Sequence, residues 1–203
     1  MNDRLKEGLR SAGFMFVLSL VLGTCVSALS LATAERVRRN ASLFLQRAVM
    51  EVAGVPVPKD PVAVEAWFRR AVDAEPAGAP ARFRVRDPET GAVRAVAFTC
   101  QGRGLWGAIT AVVGMDPATR TFREIRFLDQ NETPGLGARI GEAWFMRQIE
   151  GKTGPFVLVP EGTRSTAPTE LDAITGATIT SAAVRDMLNG LLRDAARETE
   201  AAK

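Results

Sequence analysis

The chain has 203 residues, with 26 lysines and arginines against 23 aspartates and glutamates, a net charge of +3 and no histidine. The small charge and the scattered arginines do not indicate nucleic-acid binding. The lack of histidine excludes Ser-His-Asp or Cys-His catalysis and histidine-based zinc or haem sites. Two cysteines, Cys25 and Cys100, are too few for an iron–sulfur cluster or a disulfide framework. Demanding chemistry therefore has to come from carboxylates, hydroxyls or a bound cofactor.

Residues 11–34 form an uncharged segment of 24 residues close to the N-terminus. As a helix this segment is roughly 36 Å long, enough to cross a hydrocarbon core of about 30 Å. We expect an uncleaved transmembrane anchor. A cleaved signal peptide is the alternative, because Ala32, Thr33 and Ala34 resemble a cleavage site, although signal-peptide apolar cores are usually shorter. Three basic residues precede the segment and three follow it, so the positive-inside rule does not assign its orientation.

Two helices are predicted after the anchor. The first continues out of the membrane as far as Gly54, because apolar residues recur at helical spacing at Leu45, Ala48, Val49 and Val52. The sequence "VPVPKDP" then interrupts it, and Asp60 followed by Pro61 indicates the start of a second helix. Residues 75–81, "EPAGAPA", are interpreted as a linker or loop.

From Phe83 onward the apolar pattern changes to the alternation of strands. After a strand at Phe83 and Val85, this pattern predicts strands at Val93–Cys100, Ile109–Met115 and Phe122–Leu128, a helix at Glu142–Glu150, a short buried strand at Phe156–Val159 and a last helix from about Ile179. The predicted fold class is α+β, an antiparallel sheet with flanking helices, preceded by one N-terminal transmembrane helix. We expect a cytoplasmic tail and anchor at residues 1–34, a helical connecting segment at 35–80 and the folded domain at 81–203.

The sequence "GRGLWG", residues 102–107, fits the G-x-G-x-x-G pattern of dinucleotide-binding proteins. That pattern requires a helix directly afterwards, whereas the residues that follow Gly107 indicate a strand, so a Rossmann site is excluded. "GKT" at residues 151–153 lacks the earlier glycine of a P-loop. In "NETPGLGARIGEAWF", from Asn131, the glycines at 135 and 137 let the backbone approach a neighbour or a ligand, and an ordinary loop is the alternative.

The sequence "LDAITGATITSAAVRDML", residues 171–188, places several hydroxyls directly in front of a predicted helix. Two interpretations are open. Serine and threonine side chains there can cap the helix by accepting hydrogen bonds from the amides of its first turn. Alternatively, a phosphate lies at the helix N-terminus, where free N–H groups and the helix dipole favour an anion.

These motifs resemble those of a known family. "DAITGATIT", residues 172–180, resembles the flavinylation motif Asp-x-x-(Ser/Thr)-Gly-Ala-(Thr/Ser)-x-(Ser/Thr), and "ETPGLG", residues 132–137, resembles its companion. With "GRGLWG" ahead of both and an anchor before them, the chain looks like the FMN-binding subunits of two related complexes. One complex is the sodium-translocating NADH:quinone reductase (Na⁺-NQR), and the other is the Rnf electron-transport complex. The match covers roughly residues 83–195, and its details leave the choice between the two complexes open.

The resemblance implies that FMN is attached covalently through its phosphate, as a phosphoester, to the hydroxyl of Thr178. A separate flavin transferase makes this bond with FAD and Mg²⁺ and releases AMP. Such transferases act outside the cytoplasm, so the resemblance implies a single-pass protein of the bacterial inner membrane. Its N-terminus is then cytoplasmic and its FMN domain lies on the periplasmic or extracytoplasmic side.

The resemblance also implies which residues surround the cofactor. Asp172, the acidic residue of the motif, is assigned to recognition by the transferase or to a metal ion during attachment, because a carboxylate beside a phosphate repels it unless a cation intervenes. The residues around the attachment point are Thr175, Gly176, Ala177, Ile179 and Thr180. The residues expected around the isoalloxazine ring are Glu132, Thr133, Leu136 and Trp106. For Trp106, a core aromatic is the alternative.

The expected function is a membrane-anchored electron-transfer flavoprotein that acts as a relay among the other subunits of an ion-translocating complex. We expect neither catalytic residues nor a resident metal ion. An alternative from another class is an extracytoplasmic assembly or sensor module that has the same fold but no flavin. A stand-alone flavin reductase is a third possibility, for which the sequence offers no donor site.

Overall fold

The computed structural model describes residues 3–75 and 81–201, with the side chains of residues 7–195 in those ranges. The chain divides into two compact units, Met1–Ser42 and Leu43–Lys203. The predicted boundaries at residues 34 and 80 are a different division and stay a prediction. Most of the predicted linker at residues 75–81 lies outside the described residues.

The first unit is the N-terminal part of helix α1, which runs from Asp3 to Val52. Of the described helices, it alone is long and apolar enough to cross a membrane. Its large apolar side chains are exposed, which is typical of a lipid-facing helix. Thr24 and Thr33 each donate their hydroxyl to the carbonyl four residues earlier, at 2.7 and 2.9 Å, so both groups are satisfied without water.

The second unit is built on an antiparallel sheet in the order β1-β2-β3-β4-β5. Its strands are β1 Val72–Glu75, β2 Arg82–Arg86, β3 Val93–Arg103, β4 Ala108–Met115 and β5 Phe122–Asp129. A second sheet pairs β6 Val157–Val159 in parallel with β7 Glu170–Asp172. Asp87 and Asp116 each accept two backbone N–H groups in the turns after β2 and β4. These bonds lower the pKa of both carboxyls and fix the hairpins.

The other helices of this unit are α2 Pro61–Ala71, a 3₁₀ helix Gly137–Gly141, α3 Ala143–Arg147 and α4 Thr178–Ala201. Helix α2 begins as the sequence predicts, because the Asp60 carboxylate accepts hydrogen bonds from the amides of Val62 and Ala63. The carboxylate satisfies two of the free N–H groups of the first turn.

Alternate residues of the central strands point to opposite faces of the sheet, and both faces are covered. In β3, Ala95 and Ala97 face α2 and the end of α1, whereas Val96 and Phe98 face α4. The C-terminal turns of α1 therefore belong to the core of this unit, through Ala48, Val49 and Val52. The α4 side of the core includes Ile109, Val113, Ile125, Phe145, Leu171, Val184 and Leu188.

The predicted fold class is confirmed, two local predictions need correction, and two short strands were not predicted. Residues 156–159 are not a buried strand: Phe156 is buried, but Val157 is 54% exposed and the strand lies outside the main sheet. The helix predicted at 142–150 is confined to the five residues of α3. Strands β1 and β7 were not predicted, because segments of four and three residues are too short to show an alternation.

Candidate functional site

The segment between β7 and α4 leads into the first turn of α4, whose first two residues, Thr178 and Ile179, are exposed. Gly176 has φ +77°, in the left-handed region that favours glycine, and turns the chain into the helix. Ala177 is the residue directly before the helix and has no side-chain acceptor, so it cannot cap the first-turn amides. Helix α4 begins at Thr178, and within the described part of the chain no side chain accepts a hydrogen bond from the N–H groups of its first turn.

The hydroxyls around this turn differ in what they contact. The Ser181 hydroxyl is buried, accepts the amide of Ile174 at 2.9 Å and donates to the carbonyl of Ala177 at 3.0 Å. Thr180 is also buried and donates its hydroxyl to Oε2 of Glu132. Thr178 is exposed, and no described residue forms a hydrogen bond with its hydroxyl. None of these hydroxyls caps the helix, so the capping interpretation is wrong for them.

A cavity of about 280 Å³ opens beside this turn. It is lined by Leu105, Glu132, Thr133, Leu136, Gly137, Gly176, Ala177, Thr178, Ile179 and Thr180. Eight of the eleven predicted site residues are among them; Trp106, Asp172 and Thr175 are not. Leu105 and Gly137 were not assigned to the site from the sequence, although both lie inside the quoted motifs.

Three segments of the chain meet at the carboxylate of Glu132, which is only 5% exposed. Its Oε1 accepts the amide of Trp106 at 3.1 Å, and its Oε2 accepts the hydroxyl of Thr180. A methyl group at Gly104 would lie 2.5 Å from Oε1, and one at Gly137 would lie 2.7 Å from Oε2. Both positions therefore need glycine to leave space for the carboxylate.

Trp106 is 69% exposed, which excludes the core-aromatic alternative. Its indole Nε1 donates to the hydroxyl of Thr133 at 2.9 Å, so the ring is held next to the cavity although it does not line it. Leu105, Leu136 and Ile179 are also exposed, by 53%, 43% and 58%. The cavity therefore has an apolar rim formed by three separate segments, of the kind that marks a binding surface.

Asp172 lies away from this cavity. It is 6% exposed, and its Oδ2 accepts the amides of Gly162 and Arg164, each at 2.9 Å. Arg164 has φ +50°, an uncommon conformation for a residue with a side chain, and its bond to Asp172 stabilises it. Among the described residues, no group of three or more Cys, Asp or Glu side chains is placed to hold a metal ion.

Thr175 also lies outside the cavity, but it is linked to it through an ion pair. Its amide donates to Oε2 of Glu161 at 2.7 Å, and Glu161 forms a bidentate pair with Arg139 at 2.7 and 3.3 Å. The Arg139 guanidinium and the Thr175 amide lower the pKa of Glu161 to about 2. The pair ties the loop in front of α4 to the 3₁₀ helix that follows "ETPGLG".

Comparison with known proteins identifies this part of the chain. Residues 104–193 match the family model described as FMN-binding domain. The C subunit of the Na⁺-translocating NADH-quinone reductase of Neisseria meningitidis is 32% identical over 103 residues, which are 48% of this chain and 40% of that protein. The corresponding protein of Vibrio alginolyticus is 26% identical over an alignment that covers 95% of this chain and 92% of that protein. The chain thus spans about 40% of the Neisseria relative and nearly all of the Vibrio one.

Two solved structures have a similar fold. The crystal structure of Shewanella oneidensis NqrC has a TM-score of 0.63 and 20% identity, over 71% of this chain and 88% of that one. The C subunit of the Na⁺-translocating NADH-quinone reductase from Parabacteroides distasonis has a TM-score of 0.61 and 21% identity, over 75% and 89%. At these identities the likeness shows the fold. The family match shows an FMN-binding domain at residues 104–193, and the two structures show that the chain has the same fold as these C subunits.

Proposed function

We propose that this protein is a membrane-anchored electron-transfer flavoprotein that carries FMN as a phosphoester on Thr178. The observation that supports this most is the state of the Thr178 hydroxyl, which is exposed, borders the cavity and has no hydrogen-bond partner among the described residues. The neighbouring hydroxyls of Thr180 and Ser181 are both buried and bonded. Of these three hydroxyls, that of Thr178 is therefore the one that is free to react.

The residues at the start of α4 fit a phosphate group. None of the described side chains caps the first-turn amides of α4, and the helix dipole places partial positive charge at the same point. Because Ala177 has only a methyl group, its side chain does not compete for these amides. A phosphodiester, which carries one negative charge, is the kind of group that such a helix end stabilises.

The rim of the cavity fits an aromatic ring system. Leu105, Trp106 and Leu136 offer exposed apolar surface, and the hydroxyl of Thr133 is held at a fixed position by the Trp106 indole. FMN supplies the redox chemistry when it is bound. The role of this chain is to bind and orient the ring and to exclude water from it.

Following the resemblance to covalently flavinylated subunits, we assign attachment to an external flavin transferase. In the proposed step, Oγ1 of Thr178 forms a bond to the FMN-side phosphorus of FAD. The bond between the two phosphates of FAD breaks, AMP leaves, and the hydroxyl proton passes to a base of the transferase. Mg²⁺ on the transferase is the cation we expect beside the phosphates.

The structure changes our proposal for Asp172. A carboxylate that is buried and already accepts two amides is poorly placed to contact a transferase or a metal ion. We infer that Asp172 instead holds the turn at Gly162–Arg164, next to Glu161, whose carboxylate accepts the amide of Thr175. Asp172, the acidic residue of the motif, then supports the loop that contains Thr175 indirectly, through the neighbouring turn and Glu161.

The proposed setting is a multi-subunit redox complex of the bacterial inner membrane. The relatives named above are the C subunits of Na⁺-translocating NADH-quinone reductases, which favours that complex over Rnf. The apolar helix α1 supports a single-pass anchor. We propose a cytoplasmic N-terminus and an extracytoplasmic FMN domain, with neighbouring subunits as electron donor and acceptor.

Co-expression with a flavin transferase tests the proposal. We expect the denatured chain to give a fluorescent gel band, a mass gain of one FMN less one water, and a modified peptide that contains Thr178. A transferase substrate expressed in the same host serves as the positive control. A colourless, unmodified chain beside a modified control would favour the alternative, a non-flavinylated assembly or sensor module.

Replacing Glu161 by glutamine should slow the attachment of FMN. Glutamine cannot form the ion pair with Arg139 that connects the loop at Thr175 to the 3₁₀ helix. Glu89→Gln is the matched control, since Glu89 is an exposed acid in the turn after β2.

The lowered pKa of Glu161 means that its stabilising effect is present above its ordinary pKa near 4.5 and is lost as the pH falls toward 2. Unfolding curves between these pH values should show a smaller acid-dependent loss of stability in Glu161→Gln than in the wild type. Equal curves and equal attachment rates would contradict a role for the ion pair.

A further inference from the structure

The carboxylate of Glu132 links two turns that are far apart in sequence. Oε1 accepts the amide of Trp106, in the turn between β3 and β4, and Oε2 accepts the hydroxyl of Thr180, in the first turn of α4. Trp106 lies 26 residues before Glu132, and Thr180 lies 48 residues after it. One side chain therefore connects the apolar rim to the turn that bears Thr178.

The charge of Glu132 is not neutralised by a neighbouring cation. Within the described part of the chain, neither Lys nor Arg forms an ion pair with it, and both of its oxygens accept from neutral donors. Burying a carboxylate is unfavourable unless its oxygens are hydrogen-bonded. A neutral apolar residue of similar size would fill the same space, but it would not bind an amide and a hydroxyl together.

The backbone leaves space for this carboxylate at two glycines. Side chains at Gly104 and Gly137 would collide with its two oxygens, at 2.5 and 2.7 Å from their Cβ positions. Gly104 begins the turn that carries Trp106, and Gly137 is the last residue of "ETPGLG". Both motifs of the family thus contain a glycine that makes room for the same side chain.

We propose that Glu132 is a positioning residue, which holds the Trp106 turn and the first turn of α4 on either side of the cavity so that the ring and the phosphate of one FMN are bound together. The proposal rests on the function proposed above, with FMN on Thr178. Glu132 acts through other residues, because its side chain is only 5% exposed and its two oxygens accept hydrogen bonds from Trp106 and Thr180.

The first experiment needs no flavin. Amide hydrogen exchange of the unmodified full-length protein is compared between the wild type, Glu132→Gln and Glu132→Ala. We expect faster exchange of the Trp106 amide and of the first turn of α4 in Glu132→Ala, because the link between them is lost. Glutamine can accept from Trp106 with its carbonyl oxygen and donate to the Thr180 oxygen, so protection should largely return in Glu132→Gln. Unchanged exchange in Glu132→Ala would overturn the proposal whether or not the protein binds FMN.

The second experiment uses the same variants after attachment, at a temperature where all of them are folded. We expect Glu132→Ala to be modified roughly tenfold more slowly, as for the loss of one buried hydrogen bond. Its flavin should also be more fluorescent, since Trp106 is no longer held against the ring and quenches it less. Glu132→Gln should resemble the wild type in both, and Trp106→Phe should show the fluorescence increase.

The outcomes separate this inference from the function on which it rests. An unmodified wild type would contradict the proposed function, and the exchange experiment would still decide the role of Glu132. If the wild type is modified, and Glu132→Ala is modified at the same rate with the same flavin fluorescence, only the role of Glu132 is contradicted. A Glu132→Gln protein that behaves like Glu132→Ala would overturn the proposal. The negative charge of Glu132, and not its hydrogen bonds with Trp106 and Thr180, would then be what the site requires.

Discussion

A Thr178→Val protein is expected to fold normally and to carry no covalent flavin. Valine has nearly the shape of threonine but lacks the oxygen on which the phosphoester forms. Because the Thr178 hydroxyl is exposed and has no hydrogen-bond partner among the described residues, its removal leaves no buried group unsatisfied. The free energy of unfolding should change by less than about 0.5 kcal/mol, as for other surface substitutions. Attachment should fall to background.

The measurement is flavin fluorescence of the denatured chain and its intact mass, together with a denaturation curve of the unmodified protein. Thr166→Val is the matched control, because Thr166 is an exposed threonine outside the motif that does not line the cavity. Thr178→Ser restores the hydroxyl and should restore attachment. Covalent flavin on Thr178→Val would contradict the site assignment, and loss of folding would contradict the claim that this hydroxyl has no structural role.

Thr180→Val further distinguishes Thr180 from Thr178. Its hydroxyl donates to the buried Glu132, so its loss leaves a carboxylate oxygen without that partner. A cost in stability with slower attachment of FMN is therefore expected for Thr180→Val, whereas complete loss of attachment is expected for Thr178→Val. Sequence alone does not separate these roles, because both residues are threonines in one short motif.

The parts of the fold that were predicted correctly are those with a local signal. Asp60 and Pro61 mark the start of α2 because a cap and a helix-starting proline act within one turn. The long strands β3, β4 and β5 were predicted from strand-like runs of seven or eight residues, and the structure extends each of them. The end of α1 follows from apolar spacing, and the structure shows why that spacing exists: its last turns lie in the core of the second unit.

The parts that were not predicted depend on contacts between distant residues. Leu105 lines the cavity because its turn is held by Glu132, 27 positions later in the sequence. The surroundings of Asp172 depend on a turn at residues 162–164, and nothing in the sequence of that turn indicates that its amides bind Asp172. A motif therefore identifies the region of the site, while the direction of each side chain depends on partners elsewhere in the chain.

A Gly137→Ala protein is expected to be less stable and to accept FMN poorly. The new methyl group would lie 2.7 Å from Oε2 of Glu132, 2.7 Å from the hydroxyl oxygen of Thr180 and 2.8 Å from Cβ of Glu132. Because Cβ of Glu132 is close to its backbone, rotating the carboxylate away does not relieve the whole collision. Added methyl groups in packed regions cost about 1–3 kcal/mol, and we expect a loss of stability in that range.

Gly141→Ala is the matched control, because Gly141 lies in the same 3₁₀ helix and a methyl group there meets nothing within 4 Å. At such a site, alanine should be neutral or stabilise the protein by up to about 1 kcal/mol, since it restricts the unfolded chain. The measurement is denaturant unfolding of the unmodified full-length protein in detergent, followed by the rate of FMN attachment. If Gly137→Ala matched Gly141→Ala in both, the close contact at Glu132 would not constrain the site. If it lost stability but accepted FMN at the wild-type rate, the arrangement around Glu132 would serve the fold and not the cofactor.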